Sequence, residues 1–408
     1  MRRYIQATVT RKGERAARGG HPWVFADEIT ALSGTPQNGE LVDVVSEKGK
    51  YIGTGWINDR SKIRIRIIST NANDQFDEAF YERRLRYAVD YRKTVMPGED
   101  FTCCRLIFGE ADGFPGLTVD RFGDVLVAQV LSLGLEQRKD MIFSLLLKIL
   151  REMGEPIKGI YERNDVKIRE LEGMEENKGI AAIPGSTLTE QDLKPVITEN
   201  GLRYEVDVVN GQKTGYFLDQ KYNRLAVSRI CCGKNVLDCF THTGPFALNA
   251  AKGGAASVTA VDISGEAVAQ ARANFALNGY ADKIKTVEAN VFDYLTQQAE
   301  THKHPFDFII LDPPAFTKSS HTVKNAFKGY KEINMKAMKL LPRGGYLATC
   351  SCSHFMKSEF FVTMLQEAAH DAAVSLRQVE ARQQAPDHPI LYNVPEADYL
   401  KFYIFQVV

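Results

Sequence analysis

The chain has 408 residues, of which 44% are hydrophobic and 25% charged, and its 51 Lys and Arg balance 51 Asp and Glu. That composition argues against a disordered or fibrous polypeptide, and the length suffices for two or three domains with cores of their own. The neutral total conceals an asymmetry: residues 1–70 hold 12 Lys and Arg against 7 Asp and Glu. A basic first segment on a mildly acidic body points to an anionic partner.

The cysteines, at 103, 104, 231, 232, 239, 350 and 352, form no CxxC pair and have no matching histidine spacing, so neither a metal site nor a disulfide framework is expected. Reduced thiols suit the cytoplasm, which is the expected location. The opening MRRYIQATVTRKGERAARGG lacks the apolar core of a signal peptide, and no apolar run approaches a membrane span, so no membrane partner is expected. Oligomeric state stays open, a homodimer included.

Residues 1–72 read as a small β barrel, with short strands at Val42–Val45, Tyr51–Trp56 and Ile63–Ile68 separated by Gly, Asn and Asp turns. In the last of these, Lys62, Arg64 and Arg66 alternate with isoleucines, which predicts one basic face over an apolar one. Arg11, Lys12, Arg15, Arg18 and His21 precede Pro22 and Trp23; a basic arm beside an aromatic ring suits a phosphate backbone, and a solvated face beside a buried Trp fits the same residues equally well.

Residues 73–194 read as an α+β domain: a helix over Phe76–Thr94, strands at Cys104–Phe108, Leu117–Asp120 and Val125–Val130, a helix over Leu135–Met153, a strand at Gly159–Glu162, and a loop-rich connector, Lys167–Lys194. Cys103 and Cys104 are expected to pack in its core.

From residue 195 to 408 strands and helices alternate, which predicts a doubly wound, mainly parallel α/β sheet with its ligands outside the carboxyl ends of the strands. A strand over Arg203–Val209 leads into GQKTGYFLDQ, which either covers a ligand or merely connects strand to helix. The stretch NVLDCFTHTGPF at 235–246 then gives a strand ending in Asp238, a tight loop and a helix, and the next strand ends in Asp262. That spacing places a nucleotide-like cofactor on the loop and its sugar hydroxyls on the second acid. A single Gly at 244, without the spaced glycines of a pyrophosphate cradle, argues against dinucleotides.

Two later strand ends carry chemistry. FIILDPPAF at 308–316 ends an apolar strand in Asp312 followed by Pro313 and Pro314, a rigid acceptor rim suited to a flat heterocycle, with Phe316 available to stack on its face. Proline pairs also end strands for topological reasons alone. TCSCSHF at 349–355 places Cys350 and Cys352 on one strand face; Cys352, nearer the carboxyl edge, has the better claim to nucleophilic work, and Cys350 to packing.

Taken together, NVLDCFTHTGPF, VDIS, NVFDYL, LDPPAF, SCSHF and QAPDHP make the chain resemble, over its whole length, the RlmI-type class I S-adenosylmethionine-dependent methyltransferases that modify C5 of a cytosine in 23S ribosomal RNA. The resemblance implies an N-terminal PUA domain, a central α+β domain and a C-terminal Rossmann-like domain. It implies that Asp238 and Gly244, with Phe240 and Thr243 of the same loop, line the methionine part of the cofactor, that Asp262 and Ile263 hold the ribose, and that Asn290 lies by the adenine. Lys213 and Gln220 match its upstream loop. Ala315 stands where Lys is frequent and His354 where a small residue is common, so substrate contacts differ there.

The mechanism expected from ring chemistry is addition of Cys352 to C6 of cytosine, with Asp312 as acid or hydrogen-bond partner at N3 and as part of the cofactor edge. The substrate side gathers Pro313, Pro314, Phe316, Arg11, Arg18, Lys62, Arg64 and Arg66, with Lys318, Lys324, Lys328 and Lys331 as further phosphate contacts. Methylation of an exocyclic amino group, which needs no thiol, a non-catalytic RNA-binding factor and a dinucleotide oxidoreductase are the competing readings.

Overall fold

The structure, a computed structural model, describes residues 4–300, 304–317 and 319–408, so Lys318 lies outside the described residues. The chain forms two compact units: the first comprises Met1–Ile197, Glu205–Leu218 and Pro386–Ala397, and the second Thr198–Tyr204, Asp219–Ala385 and Asp398–Val408. No helix among the described residues is long and apolar enough to cross a membrane.

The first unit carries two sheets. The N-terminal one has six strands in the spatial order Trp23–Phe25, Ile63–Ser69, Tyr51–Ile57, Leu41–Ser46, Ile5–Val9 and Ile29–Leu32. Alternate side chains, Val42 and Val44, Ile65 and Ile67, Ala7 and Val9, close its core. The expected basic arm is instead a helix, Arg11–Arg18, because Thr10 Oγ1 accepts from the Gly13 N–H and caps it, and Glu14 pairs with Arg18 one turn on.

The second sheet orders Asn177–Ile180, Gly159–Asn164, Val125–Val130, Leu117–Phe122 and Cys103–Phe108. Its single parallel pair, Val125–Val130 with Gly159–Asn164, is joined by the crossover helix Lys139–Glu152. Cys103 and Cys104 are fully buried. The segment expected as a loop-rich connector supplies the edge strand Asn177–Ile180, organised by Arg169, whose buried guanidinium donates to the Glu175 and Val130 carbonyls and to Glu136. Such long-range satisfaction leaves no periodic trace in sequence.

In the second unit the strands are β1 (Asn235–Cys239), β2 (Ser257–Asp262), β3 (Ile284–Glu288), β4 (Phe308–Leu311), β5 (Tyr346–Ser351), β6 (Leu376–Arg382) and β7 (Lys401–Val407). The helices are α1 (Lys221–Ser228), α2 (Pro245–Lys252), α3 (Gly265–Leu277), α4 (Val291–Glu300), α5 (Val323–Leu340) and α6 (Ser358–Asp371). The sheet runs β3-β2-β1-β4-β5-β7-β6, parallel through β5 and antiparallel at β7 and β6. This is the doubly wound α/β architecture expected, and the order reverses between β1 and β4, where such sheets bind ligands.

Two differences matter. The strand expected over residues 203–209 ends at Glu205. The antiparallel β6 and β7 were not foreseen; β7 buries Phe402, Ile404 and Val407 beside β5, and its first residue is a buried Lys401.

Candidate active site

The loop after β1 is held in a conformation its sequence does not adopt freely. Phe240 and His242 have φ of 62° and 51°, and Gly244 follows at 86°. Left-handed backbone costs a non-glycine residue ~1–2 kcal/mol, and such strain concentrates at functional sites. At Gly244 a β-carbon would lie 2.3 Å from the Phe275 ring on α3, so both backbone angle and space demand glycine there. Pro245 at the first turn then starts α2 with its N–H groups facing the loop.

Asp238 is fully buried, and its Oδ2 accepts from Thr241 Oγ1 at 2.6 Å and the Ala247 N–H at 3.0 Å. Its Oδ1 has no hydrogen-bond partner, and neither does the buried Thr243 Oγ1. Two orphaned polar atoms at one helix N-terminus would be satisfied by a ligand that donates hydrogen bonds, such as the α-amino group of an amino acid. Burial raises the Asp238 carboxyl to about 7, with Asp312 and Asp262 adding to it; a bound cation would reverse that shift. Asp262, at the end of β2, accepts from the His242 N–H at 2.8 Å and the Ser264 N–H at 3.0 Å, which fixes a carboxylate with lone pairs to spare for sugar hydroxyls. Ile263 beside it is exposed, and Asn290, also exposed, uses its Oδ1 to cap α4 at the Phe292 N–H. These groups fit the amino acid and ribose parts of S-adenosylmethionine.

Asp312 follows β4 directly, and its Oδ1 receives two donors: the Cys350 thiol at 2.8 Å and Gln220 Nε2 at 3.1 Å. Gln220 is oriented by Asn223, which donates to its Oε1 at 2.7 Å and in turn accepts from Arg382 at 3.1 Å. A relay of three side chains therefore fixes one oxygen of Asp312, while Oδ2 engages no protein group among the described residues. Desolvation pushes the Asp312 carboxyl above its usual range, opposed by the Cys350 hydrogen bond and by Arg224. Cys350 is fully buried, its thiol is a hydrogen-bond donor to Asp312, and burial with that adjacent carboxyl raises it well above the ordinary value.

Cys352 lies one residue beyond β5 and is half-buried. Both serines flanking it are buried and anchored: Ser351 Oγ donates to the Tyr330 hydroxyl at 3.0 Å, and Ser353 Oγ donates to the Thr317 carbonyl at 2.9 Å. The Thr317 bond ties the thiol loop to the loop after β4. Pro313 is buried and Pro314 exposed, as one rim of that loop. Phe316 packs its ring 4.5 Å from Tyr330 and 6.1 Å from Phe292, within the hydrophobic cluster under α5.

The cations expected to meet phosphate differ in availability. Arg11 is exposed, 3.7 Å from Glu47, and Arg18 pairs with Glu14. Lys62 is exposed and Arg64 half-buried, whereas Arg66 is buried against Glu172 at 2.7 Å, with Glu110 at 3.8 Å. The uniformly basic face expected there is thus not formed, because the second half of that strand is covered on both sides. Lys331 is held by Glu367 and Asp371, and Lys324 and Lys328 are exposed. Lys213 belongs to the first unit, in the left-handed region, with its ammonium 4.8 Å above the Phe217 ring. Sequence reasoning missed Asn223, Arg382 and Lys401; a lysine opening the apolar run KFYIFQV is the one signal that could have been read.

Residues 183–406 match the family described as S-adenosylmethionine-dependent methyltransferase, and residues 7–70 match a PUA-like domain. The chain is 42% identical over 398 residues to ribosomal RNA large subunit methyltransferase I of Shewanella denitrificans, covering 97% of each. It is 39% identical to the protein of that name from Klebsiella pneumoniae, covering 97% of this chain and 96% of that one. Among solved structures, a SAM-dependent methyltransferase from Streptococcus mutans superposes with a TM-score of 0.81 at 23% identity, over 99% of this chain and 100% of that one. A methyltransferase complexed with SAH gives a TM-score of 0.81 at 22% identity, with the same coverage. At such identities the structures establish the fold alone. Family match and full-length relatives agree with each other, and the chain belongs to the S-adenosylmethionine-dependent methyltransferases, using that cofactor and carrying a PUA-like domain near its N-terminus.

Proposed function

We propose that this enzyme methylates C5 of a cytidine in the 23S RNA of the large ribosomal subunit, in the cytoplasm, through a covalent intermediate on Cys352. The observation that carries the reading is the occurrence, at the ends of neighbouring strands, of a half-buried thiol braced between two anchored serines and a half-buried carboxyl group bound by a dedicated relay. The name shared by the full-length relatives supports ribosomal RNA as the substrate class.

C5 of cytosine is a weak carbon nucleophile. The Cys352 thiolate adds to C6, the C5–C6 π electrons move to C5, and N3 takes up negative charge or a proton. Asp312, raised toward its neutral form, donates to N3 through Oδ2 and stabilises that charge. S-adenosylmethionine, when bound, supplies the electrophilic sulfonium methyl that C5 takes. Loss of the C5 proton to water, return of the N3 proton to Asp312 and expulsion of the Cys352 thiolate from C6 restore the aromatic ring. Asp238, Thr243 and Asp262 hold the cofactor by its amino and sugar groups. Lys62, Arg64, Arg11 and Arg18 of the PUA-like domain, with Lys324 and Lys328, contact the RNA backbone.

The test is product analysis. Ribosomal RNA incubated with enzyme and isotopically labelled cofactor, then digested to nucleosides, is expected to carry label in 5-methylcytidine. Label in an N-methylated guanosine or adenosine instead would replace this reading with amino-group methylation.

A further inference from the structure

Lys401 opens β7, opposite Ser351 on β5, and is 3% exposed. Its ammonium donates to the Ser353 carbonyl at 2.6 Å and the Tyr399 carbonyl at 2.8 Å. Both are neutral acceptors, and no carboxylate among the described residues hydrogen-bonds it. A buried ammonium with two partners retains one donor and a charge that desolvation makes costly, so a strut between two carbonyls alone does not explain a lysine.

We propose that Lys401 is a positioning residue for Cys352, fixing the turn that presents the thiol and supplying the positive charge that favours its thiolate. The inference rests on the reading of Cys352 as the nucleophile. Ser353 is the neighbour of Cys352, so the Lys401 bond fixes the peptide that orients the thiol, and the Ser353–Thr317 and Ser351–Tyr330 bonds complete a three-point brace. Burial pushes Lys401 down to about 8, and Asp398, Cys352 and Cys350 act in the opposite direction. Coupling of two sites is reciprocal: if the thiolate raises the lysine, the ammonium lowers the thiol. The groups that interact electrostatically with Cys352 include Tyr330 from α5, Cys350 from its own strand and Lys401 from β7, with Asp398 acting on Lys401 from the preceding loop, Asp312 acting on Cys350, and His354 two residues along the same turn.

The test is the pH dependence of iodoacetamide alkylation at Cys352, resolved by peptide mass spectrometry from the exposed Cys232, in the full-length enzyme and in Lys401→Met and Lys401→Arg. Cys352 is expected to react with a lower pH midpoint than Cys232. Lys401→Met is expected to raise the Cys352 midpoint by about one pH unit, with Lys401→Arg recovering most of that shift. An unmoved midpoint in Lys401→Met, with S-adenosylmethionine binding intact by calorimetry, overturns the proposal. Where Lys401→Met does not fold, the wild-type comparison decides, and a Cys352 midpoint at or above that of Cys232 overturns it. A shifted midpoint together with full turnover by Cys352→Ala would overturn the nucleophile reading and not the Lys401–Cys352 coupling.

Discussion

Cys350 donates its thiol hydrogen to Asp312 Oδ1 across 2.8 Å, and so joins the fully buried centre of β5 to the acid at the end of β4. The bond stabilises the ionised form of Asp312, against the larger effect of burial. In Cys350→Ala the carboxyl holds its proton to higher pH and loses one of the two contacts on that oxygen. Turnover is expected to fall about tenfold, the size of one hydrogen bond, and the alkaline limb of the pH–rate profile to move upward. Cys350→Ser, which keeps a donor, should recover most of the rate. A Cys350→Ala profile that overlays the wild type would remove Cys350 from the site.

Asp238 gives a pH test of the empty enzyme. Its folded carboxyl lies at about 7, against ~3.9 in an unfolded chain. The folded state therefore binds the extra proton between those values. Its contribution to stability is fully present below ~4 and is lost as pH rises through about 7. Asp238→Asn keeps the Thr241 and Ala247 contacts with a side chain that stays neutral. Thermal unfolding without cofactor should show the variant more stable than wild type at pH 8, with the gain shrinking toward pH 4, while cofactor affinity falls. An equal difference at both pH values would contradict the burial argument.

The two ends of one basic strand predict opposite phenotypes. Lys62 is exposed, so Lys62→Ala should leave the melting temperature unchanged, weaken RNA binding uniformly across sequences and lower the salt slope by about one. Arg66 is buried with Glu172, so Arg66→Ala strands a carboxylate and should cost roughly 3–5 kcal/mol of stability. Denaturant melts and RNA titrations at two salt concentrations separate them. A stable Arg66→Ala with selectively weakened RNA binding would return that arginine to the interface.

Much of the second unit was legible because strand ends announce themselves. Asp238, Asp262 and Asp312 each close an apolar run, and parallel strands buried on both faces show continuous hydrophobic stretches. The proline pair after Asp312 and the Ser-Cys-Ser run marked the other rim for the same reason. What stayed hidden depends on partners distant in sequence. Cys350 read as packing because its donor role exists only where β5 lies beside β4. The alternation that made Arg66 a surface cation fails because Glu172, 106 residues away, covers it. Lys401 gave one weak signal, and its meaning depends on the antiparallel return of β7 against the strand that carries Cys352.

The bond between Cys352 and C6 of the target cytosine can be trapped and read on the protein itself. Ribosomal RNA carrying 5-fluorocytidine at the target offers no C5 proton to remove, so the adduct cannot resolve after methyl transfer. With S-adenosylmethionine present, the wild-type enzyme is expected to form a denaturant-resistant complex whose cross-linked peptide contains Cys352, and Cys352→Ala to form none. Full methylation of the unmodified RNA with no adduct on the fluorinated one, or an adduct that survives in Cys352→Ala, would contradict the account.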